Sequence, residues 1–184
     1  GRIGNRLKDE KQRADQFETA KAYAFNALKA NHQDADANCT VAATAMRFAT
    51  ITGGKERAGY LRDMKNYADS ALMINANHAR ALYILGKWNF DITEMNVGDK
   101  AAVKVLFGGM PKASLEEAIG NFEKARTADP LLMADYFDLA KAYIKFHRTD
   151  KAIDVLNKMV KLPPRTEDDP ALKAEGKALL ASLQ

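Results

Sequence analysis

Histidine and cysteine, which most often bind transition metals or act as nucleophiles, are rare in this sequence, with three His and one Cys. A zinc or iron site needs several His, Cys or acidic side chains at spacings that bring them together on one helix face or one loop. The histidines are His32, His78 and His147, and none has a second His or a Cys three or four residues away. We therefore expect no metal site and no cofactor.

The single cysteine, Cys39, is the one thiol that could act as a nucleophile. A reactive thiol needs a neighbouring base or cation that stabilises the thiolate, and no His lies at helical spacing from Cys39. A free cysteine otherwise behaves as a small apolar side chain. We expect Cys39 to pack in the core, and because it has no cysteine partner in the chain it says nothing about the redox compartment.

Two acidic clusters, Glu116–Glu117 and Glu167–Asp169, could in principle serve as paired acid and base groups. Both stand where a helix is predicted to start, and negative charge is favourable at that end of the helix dipole. Their positions are explained without catalysis. The sequence predicts a protein that is not an enzyme.

Charge and hydropathy exclude other classes of function. The net charge is +4, and the basic residues alternate with acidic ones instead of forming a block, so we expect no nucleic-acid partner. No apolar run approaches the roughly 18 residues of a membrane-spanning helix. We expect a soluble protein of unknown compartment, and an extracytoplasmic (periplasmic) location is compatible with the sequence if a signal peptide has been removed.

The elements that must position any site are predicted to be helices, because strand patterns are missing and apolar residues recur at helical spacing. In the stretch 79–130, Leu82, Leu85 and Gly86 share one helical face. The residues Ala118, Phe122 and Ala125 share another. Small residues on both faces allow two helix backbones to approach closely, so the stretch predicts an antiparallel helix pair.

The same pattern recurs at a regular interval along the chain. A second copy contains Tyr136, Leu139, Ala140, Tyr143, Ala152 and Leu156, and it stops at Pro164, 34 residues after the stop at Pro130. Further stops at His32 and Ala76 give intervals of 44, 54 and 34 residues (76 − 32, 130 − 76 and 164 − 130). A period of 34 residues with insertions is typical of one class of helical repeat protein.

At this point the sequence resembles the tetratricopeptide repeat (TPR) family. The resemblance implies an all-α, right-handed solenoid of helical hairpins with about 3.5 repeats. We predict a single domain over 1–184, divided into a partial repeat at 1–34, repeats at 35–78, 79–132 and 133–166, and a capping helix at 167–184. The third repeat contains an insertion at 93–113.

Local signals predict how these helices begin and end. Asp34 or Asp36 is expected to cap the helix that follows it, Ser114 to open a capping box with Glu117, and Asp150 to cap the second helix of the fourth repeat. That last helix is expected to end at Pro163–Pro164.

The insertion is predicted to form a short helix that packs on the repeats. Asp99 is expected to cap it, and Val103, Leu106 and Phe107 are expected to form its apolar side. An alternative function rests on this segment. Trp88, Phe107 and Met110 could frame a pocket for a small ligand or for an enzyme's substrate.

A more specific resemblance covers about residues 79–183. The motifs LGKW, LFGGMPKAS and LPPRTEDD look like those of the regulator of microtubule dynamics proteins and their bacterial TPR relatives. What this resemblance implies is an architecture, a helical array with an elaborated third repeat, and it does not by itself imply a function.

In TPR arrays the first helix of each repeat lines a concave groove at its second, fifth, ninth, twelfth and thirteenth positions. Applied to this sequence, these positions suggest a groove of basic and aromatic residues that suits an acidic peptide with an apolar anchor. We therefore predict a non-catalytic protein–protein interaction scaffold. Ala43 stands where chaperone-tail-binding members have a clamp Asn, which argues against that particular ligand. The groove candidates are Arg47, Arg80, Tyr83, Lys87, Phe90, Phe137, Lys141 and Lys145.

Overall fold

The computed structural model describes residues 10–184, so the predicted beginning of the first repeat, residues 1–9, lies outside the described residues. Within them the regular structure is helical throughout, which confirms the predicted fold class. The helices are α1 (Glu10–Ala30), α2 (Ala35–Ala49), α3 (Gly54–Ile74), α4 (Ala79–Thr93), α5 (Val97–Leu106), α6 (Leu115–Ala128), α7 (Met133–Lys145), α8 (Thr149–Met159) and α9 (Asp169–Ser182).

The helices pack as successive hairpins. Helix α2 pairs with α3, α4 pairs with α6, and α7 pairs with α8. The first pair contacts the second through α3 and α4, and the second contacts the third through α6 and α7. The first helices of the three pairs, α2, α4 and α7, contact one another in that order. Helix α1 packs on α2, and α9 packs on α7 and α8 as the predicted terminal helix. The division into repeats stays a prediction.

The seam between α4 and α6 has the predicted small-to-large packing. Phe122, Ala118 and Ala125 have no exposed surface, and Leu82 is 6% exposed. The ring of Phe122 lies so close to the Gly86 backbone that a Cβ atom added there would be 2.6 Å from Cδ1 of the ring. Gly86 therefore sets the distance between the two helices.

Two of the four predicted helix caps form. The side chain of Asp34 accepts a hydrogen bond from the Ala37 amide, and the hydroxyl of Ser114 accepts one from the Glu117 amide at 3.1 Å. The prediction for Asp150 is wrong. Helix α8 already starts at Thr149, so Asp150 lies inside its first turn, where its charge still favours the helix dipole. The same helix ends at Met159, about one turn before the two prolines. The amides that follow Met159 donate to carbonyls within a closing turn and do not continue the helix.

The predicted cap of the inserted helix is also wrong. Asn96 caps α5, since its side-chain oxygen accepts a hydrogen bond from the Asp99 amide at 2.8 Å. Asp99 instead turns inward, is 6% exposed, and accepts from the Gly54 amide at 2.8 Å and from Nη1 of Arg57 at 2.6 Å. The carboxylate of Asp99, which belongs to α5, thus accepts a hydrogen bond from an amide in the first turn of α3.

The contacts of Asp99 hold α5 against α3. The hydrogen bond from the Gly54 amide and the charge of Arg57 together keep the pKa of Asp99 below its usual range, even though burial acts in the opposite direction. On the apolar side, Val103 is fully buried and Phe107 is half-buried. Leu106, predicted to pack beside them, is 39% exposed because it lies at the end of the helix, just before the chain turns.

Replacing Asp99 by Ala is expected to destabilise the fold by about 2 kcal/mol at pH 7, because Arg57 and the Gly54 amide lose a charged acceptor. A carboxyl with a lowered pKa stabilises the fold above its unfolded-state pKa and loses that contribution as the pH falls through the folded-state pKa. The difference between wild type and Asp99→Ala should therefore shrink in acid. Urea denaturation followed by circular dichroism measures it, and an equal difference at pH 7 and in strong acid would contradict this role.

Candidate functional site

An open cleft of about 850 Å³ lies along the faces of α2, α4 and the start of α7. Three loops complete its walls, one at 75–78 between α3 and α4, one at 129–132 between α6 and α7, and one at 165–168 before α9. The cleft has an apolar part and a charged part. Its apolar side chains include Met46, Leu131, Met133 and Leu172. A cleft of this size and openness suits an extended chain segment.

The structure separates the predicted groove residues into two groups. Four of them, Arg47, Arg80, Tyr83 and Lys87, line the cleft. The other four lie farther along α4 and α7 and do not line it. These are Phe90, Phe137, Lys141 and Lys145.

The second group forms an internal contact between α4 and α7. The ammonium group of Lys141 lies 5.7 Å from the ring centre of Phe90 and 5.3 Å from that of Phe137, and it is 3.4 Å from a carboxylate oxygen of Asp138. Phe90 is only 6% exposed. Cation–π contacts and an ion pair thus hold these residues together. They stabilise the packing of the two helices, and Phe90 has little surface left for a ligand.

The other two groove lysines are paired as well. Lys87 forms an ion pair with Asp91 one turn further along α4, and Nζ of Lys145 lies 2.6 Å from a carboxylate oxygen of Glu94. Each of these carboxylates offsets most of the charge that a lysine would present to a ligand. The lysines of the groove therefore contribute less positive potential than their number suggests.

Tyr83 is a neutral hydrogen-bond donor in the floor of the cleft. It is 8% exposed, and its hydroxyl donates to a carboxylate oxygen of Asp138 at 2.9 Å. Burial raises the pKa of Tyr83 well above its usual value, and the charge of Asp138 acts in the same direction. The hydroxyl keeps its proton at neutral pH, so the contact links α4 to α7.

The arginines of the cleft differ in whether they have acidic partners. A guanidinium nitrogen of Arg47 lies 3.7 Å from Asp168, and Nη1 of Arg165 donates to both carboxylate oxygens of Asp129 at 3.0 Å. Arg80 is exposed, and no carboxylate of the described residues lies within ion-pairing distance of it. Arg80 is thus the cleft arginine with its charge available to a ligand.

The lining as a whole is balanced in charge. It includes four side chains with a full positive charge and four carboxylates, which are Arg47, Arg80, Lys87, Arg165, Asp36, Asp129, Asp168 and Asp169. Arg165 and the apolar residues Leu131 and Leu172 line the cleft but were not among the predicted groove residues. These side chains come from the loops between repeats and from the terminal helix. Positions mapped on the first helices alone could not identify them.

Cys39 is the fifth residue of the repeat predicted at 35–78, which is a groove position in TPR arrays, but it does not line the cleft. It is 1% exposed, and burial raises the pKa of its thiol to about 11. A thiol with so high a pKa is almost entirely protonated at neutral pH and is a poor nucleophile. The expected role of Cys39 in core packing is confirmed.

The pocket considered beside the insertion does not form. Trp88 is 1% exposed, its indole nitrogen donates to the Leu61 carbonyl at 2.9 Å, and its ring centre lies 6.5 Å from that of Phe107. Met110 is 44% exposed on the loop beyond α5. Because Trp88 and the inserted helix fill this space with packed side chains, these residues do not frame a cavity.

Two further findings concern residues 10–184. Among the side chains that the structure describes, no three of His, Cys, Asp or Glu lie close enough together to hold a metal ion. No helix there is both long and apolar enough to cross a bilayer.

Comparison with known proteins gives a family match over the whole sequence. Residues 1–184 match the family model described as "Regulator of microtubule dynamics protein 1-3". Regulator of microtubule dynamics protein 1 of Homo sapiens is 26% identical over 179 residues, 97% of this chain and 57% of that protein. The Bos taurus protein of the same name is 28% identical over 162 residues, 88% of this chain and 51% of that protein. The chain therefore spans little more than half the length of these relatives.

Solved structures with the same arrangement of helices are TPR-like. The crystal structure of TTC0263, a thermophilic TPR protein of Thermus thermophilus, superposes with a TM-score of 0.63 at 19% identity, covering 99% of this chain and 78% of that one. A crystal structure of MamA superposes with a TM-score of 0.56 at 22% identity, covering 95% of this chain and 86% of that one. At these identities the comparison shows the fold alone, and that fold is TPR-like.

Proposed function

The chain belongs to the family of regulator of microtubule dynamics proteins 1-3, and from this membership and the cleft we propose that it is a non-catalytic scaffold that binds another protein. The relatives are named as regulators, a role exercised on other macromolecules. The observation that carries the proposal is the open cleft along α2, α4 and α7, because it combines apolar side chains with a charge that has no internal partner among the described residues.

The chemistry of the cleft indicates what kind of segment it binds. Apolar side chains from two repeats and from α9, among them Met46, Leu131 and Leu172, can bury one apolar anchor of the ligand. The exposed guanidinium of Arg80 can pair with a carboxylate nearby. We propose an extended segment in which an apolar residue stands next to an acidic one, and not a uniformly acidic tail, since the lining is balanced in charge.

Hydrogen-bonding groups at the edge of the cleft fit an extended backbone. Asn75 and Asn77 line the cleft in the turn between α3 and α4. The carboxamide of each can donate and accept, as the amides of an extended peptide require. The side-chain oxygen of Asn75 already accepts from the Asn77 amide at 3.1 Å, which fixes the turn that presents both residues.

Arg80→Glu is expected to weaken binding of a groove ligand at least about tenfold, because a charge-assisted contact becomes a repulsion. The probe is a phage-displayed random peptide library, selected on wild-type protein and then titrated as synthetic peptides by fluorescence anisotropy. The matched control is Lys124→Glu, which makes the same charge change at an exposed position of α6 outside the cleft.

Selected peptides should contain an apolar residue beside Asp or Glu, and Lys124→Glu should bind them as wild type does. Thermal melting of both variants checks that they fold. Lys87 and Lys141 are less suitable positions, because charge reversal there also breaks ion pairs within the protein. Failure to enrich any peptide, or equal binding by Arg80→Glu and wild type, would refute the groove proposal.

A further inference from the structure

The inserted helix α5 presents apolar residues to solvent. Val97 is 85% exposed, Val105 is 79% exposed, and Ala101 between them is also exposed. Residues four apart on a helix lie on the same face, so the three side chains form one line. We call Val97, Ala101 and Val105 the outer α5 stripe.

Folding of the domain does not explain this stripe. The inward side of α5 is provided by Val103, which is fully buried, and by Asp99, which is 6% exposed and bound to α3. A surface helix normally has polar residues on the side opposite its buried face. Helix α5 has apolar residues there instead, and none of them packs in the hydrophobic core.

The segment that contains the stripe has an excess of positive charge. Between residues 95 and 113 the sequence has three lysines and a single carboxylate, Asp99. The charge of Asp99 is paired with Arg57 inside the protein. The lysines form no ion pair with any described residue. They are Lys100, Lys104 and Lys112.

We propose that the outer α5 stripe is a second protein-binding surface, separate from the cleft, and that it receives an acidic amphipathic helix of a partner protein. Apolar residues at helical spacing are the means by which one helix packs on another, and acidic residues flanking the partner's apolar face complement the lysines. The contacts of Asp99 hold α5 in place before binding, so little conformational entropy is lost when the partner docks.

Two other occupants fit the same surface less well. A second copy of this chain would bring its own three lysines to the contact, and like charges oppose association. An anionic bilayer would attract the lysines, but helices that lie in a membrane surface use Trp, Phe or Leu to reach the acyl chains. The outer α5 stripe has only Val and Ala, which are too short for that role, and Leu106, 39% exposed, lies on another side of the helix.

Site-specific photocrosslinking tests the proposal. The photoreactive residue p-benzoylphenylalanine replaces Ala101 in the full-length protein, expressed in the cells of its origin, and a control carries it at Met73, which is 87% exposed at the end of α3. Mass spectrometry then identifies the crosslinked segment. The expected product, absent from the control, contains apolar residues at helical spacing flanked by Asp or Glu.

Charge variants complete the test. Lys104→Glu is expected to reduce the yield of the product several-fold, and Lys124→Glu on α6 is expected to leave it unchanged. Arg80→Glu should also have no effect, which makes this surface testable even if the groove proposal fails. A crosslink to a second copy, a crosslink only to lipid, no product specific to position 101, or a yield insensitive to Lys104→Glu would each overturn the proposal.

Discussion

The wild-type protein is expected to lose stability as the pH rises from about 5 towards about 9, and Asp135→Asn is expected to abolish most of that loss. Asp135 is the third residue of α7 and has no exposed surface. Neither of its carboxylate oxygens has a hydrogen-bond partner among the described residues. A charged carboxylate in such a place is strongly unfavourable, so the folded protein favours the protonated acid.

Burial raises the pKa of Asp135 from 3.8 to about 8, although the neighbouring guanidinium of Arg126 acts in the opposite direction. In the unfolded chain the same acid loses its proton near its ordinary pKa. Between these two pKa values the folded state binds more protons than the unfolded state, so stability falls as the pH rises. The full loss, present above a pH of about 8, is on the order of 5 kcal/mol.

Asn has nearly the same shape as the protonated acid and cannot ionise. We therefore expect Asp135→Asn and wild type to have similar unfolding free energies at about pH 3.5, below the unfolded-state pKa, and the variant to be more stable by several kcal/mol at pH 9. Urea denaturation followed by circular dichroism at a series of pH values measures the difference. Asp154→Asn removes a carboxylate from an exposed position of α8 and should show no such trend. A difference between wild type and Asp135→Asn that does not change with pH would show that Asp135 is not held as the neutral acid.

Gly86→Ala is expected to destabilise the protein by about 3 kcal/mol, although Ala is the better helix former by about 1 kcal/mol. The added methyl group would lie 2.6 Å from Cδ1 and 2.7 Å from Cε1 of Phe122. That ring is fully buried between α4 and α6, so it cannot swing aside without opening the seam. Steric overlap therefore outweighs helix propensity.

A matched control separates the two effects. Gly59 lies inside α3, and nothing is within 4 Å of a Cβ added there, so Gly59→Ala should gain up to about 1 kcal/mol. Combining Gly86→Ala with Phe122→Leu should cost less than the sum of the two single changes, because the smaller side chain makes room for the methyl group. Chemical denaturation measures the unfolding free energies of the three single variants and the double variant. If Gly86→Ala proves as stable as wild type, the close approach of α4 and α6 does not occur.

The helical fold could be predicted from the sequence because its determinants are local or lie in neighbouring repeats. The spacing of Leu82, Gly86 and Phe122 defines a helix pair without knowledge of the rest of the chain. Each pair in a repeat array contacts mainly its neighbours, so the period of the pattern is enough to indicate the architecture. The same locality explains why the caps at Asp34 and Ser114 were predicted correctly.

Predictions failed where two candidates were equally good locally and a distant group decided between them. Asn96 and Asp99 can both cap α5. The amide of Gly54 and the guanidinium of Arg57 attract the charged carboxylate, which leaves the cap to Asn96. Similarly, Trp88 forms no pocket because the Leu61 carbonyl and the ring of Phe107 provide its contacts inside the core.

The sequence by itself determined the helical repeat class and the set of charged residues on the first helices. Only the tertiary structure decided which of those charges are free to pair with a ligand. Lys87 and Lys145 have acidic partners within the array, and Arg47 is paired with Asp168 from the far end of the chain. Arg80 has no carboxylate of the described residues within ion-pairing distance. The physical reason is that helix periodicity follows from near neighbours, whereas electrostatic pairing depends on distances across the folded chain.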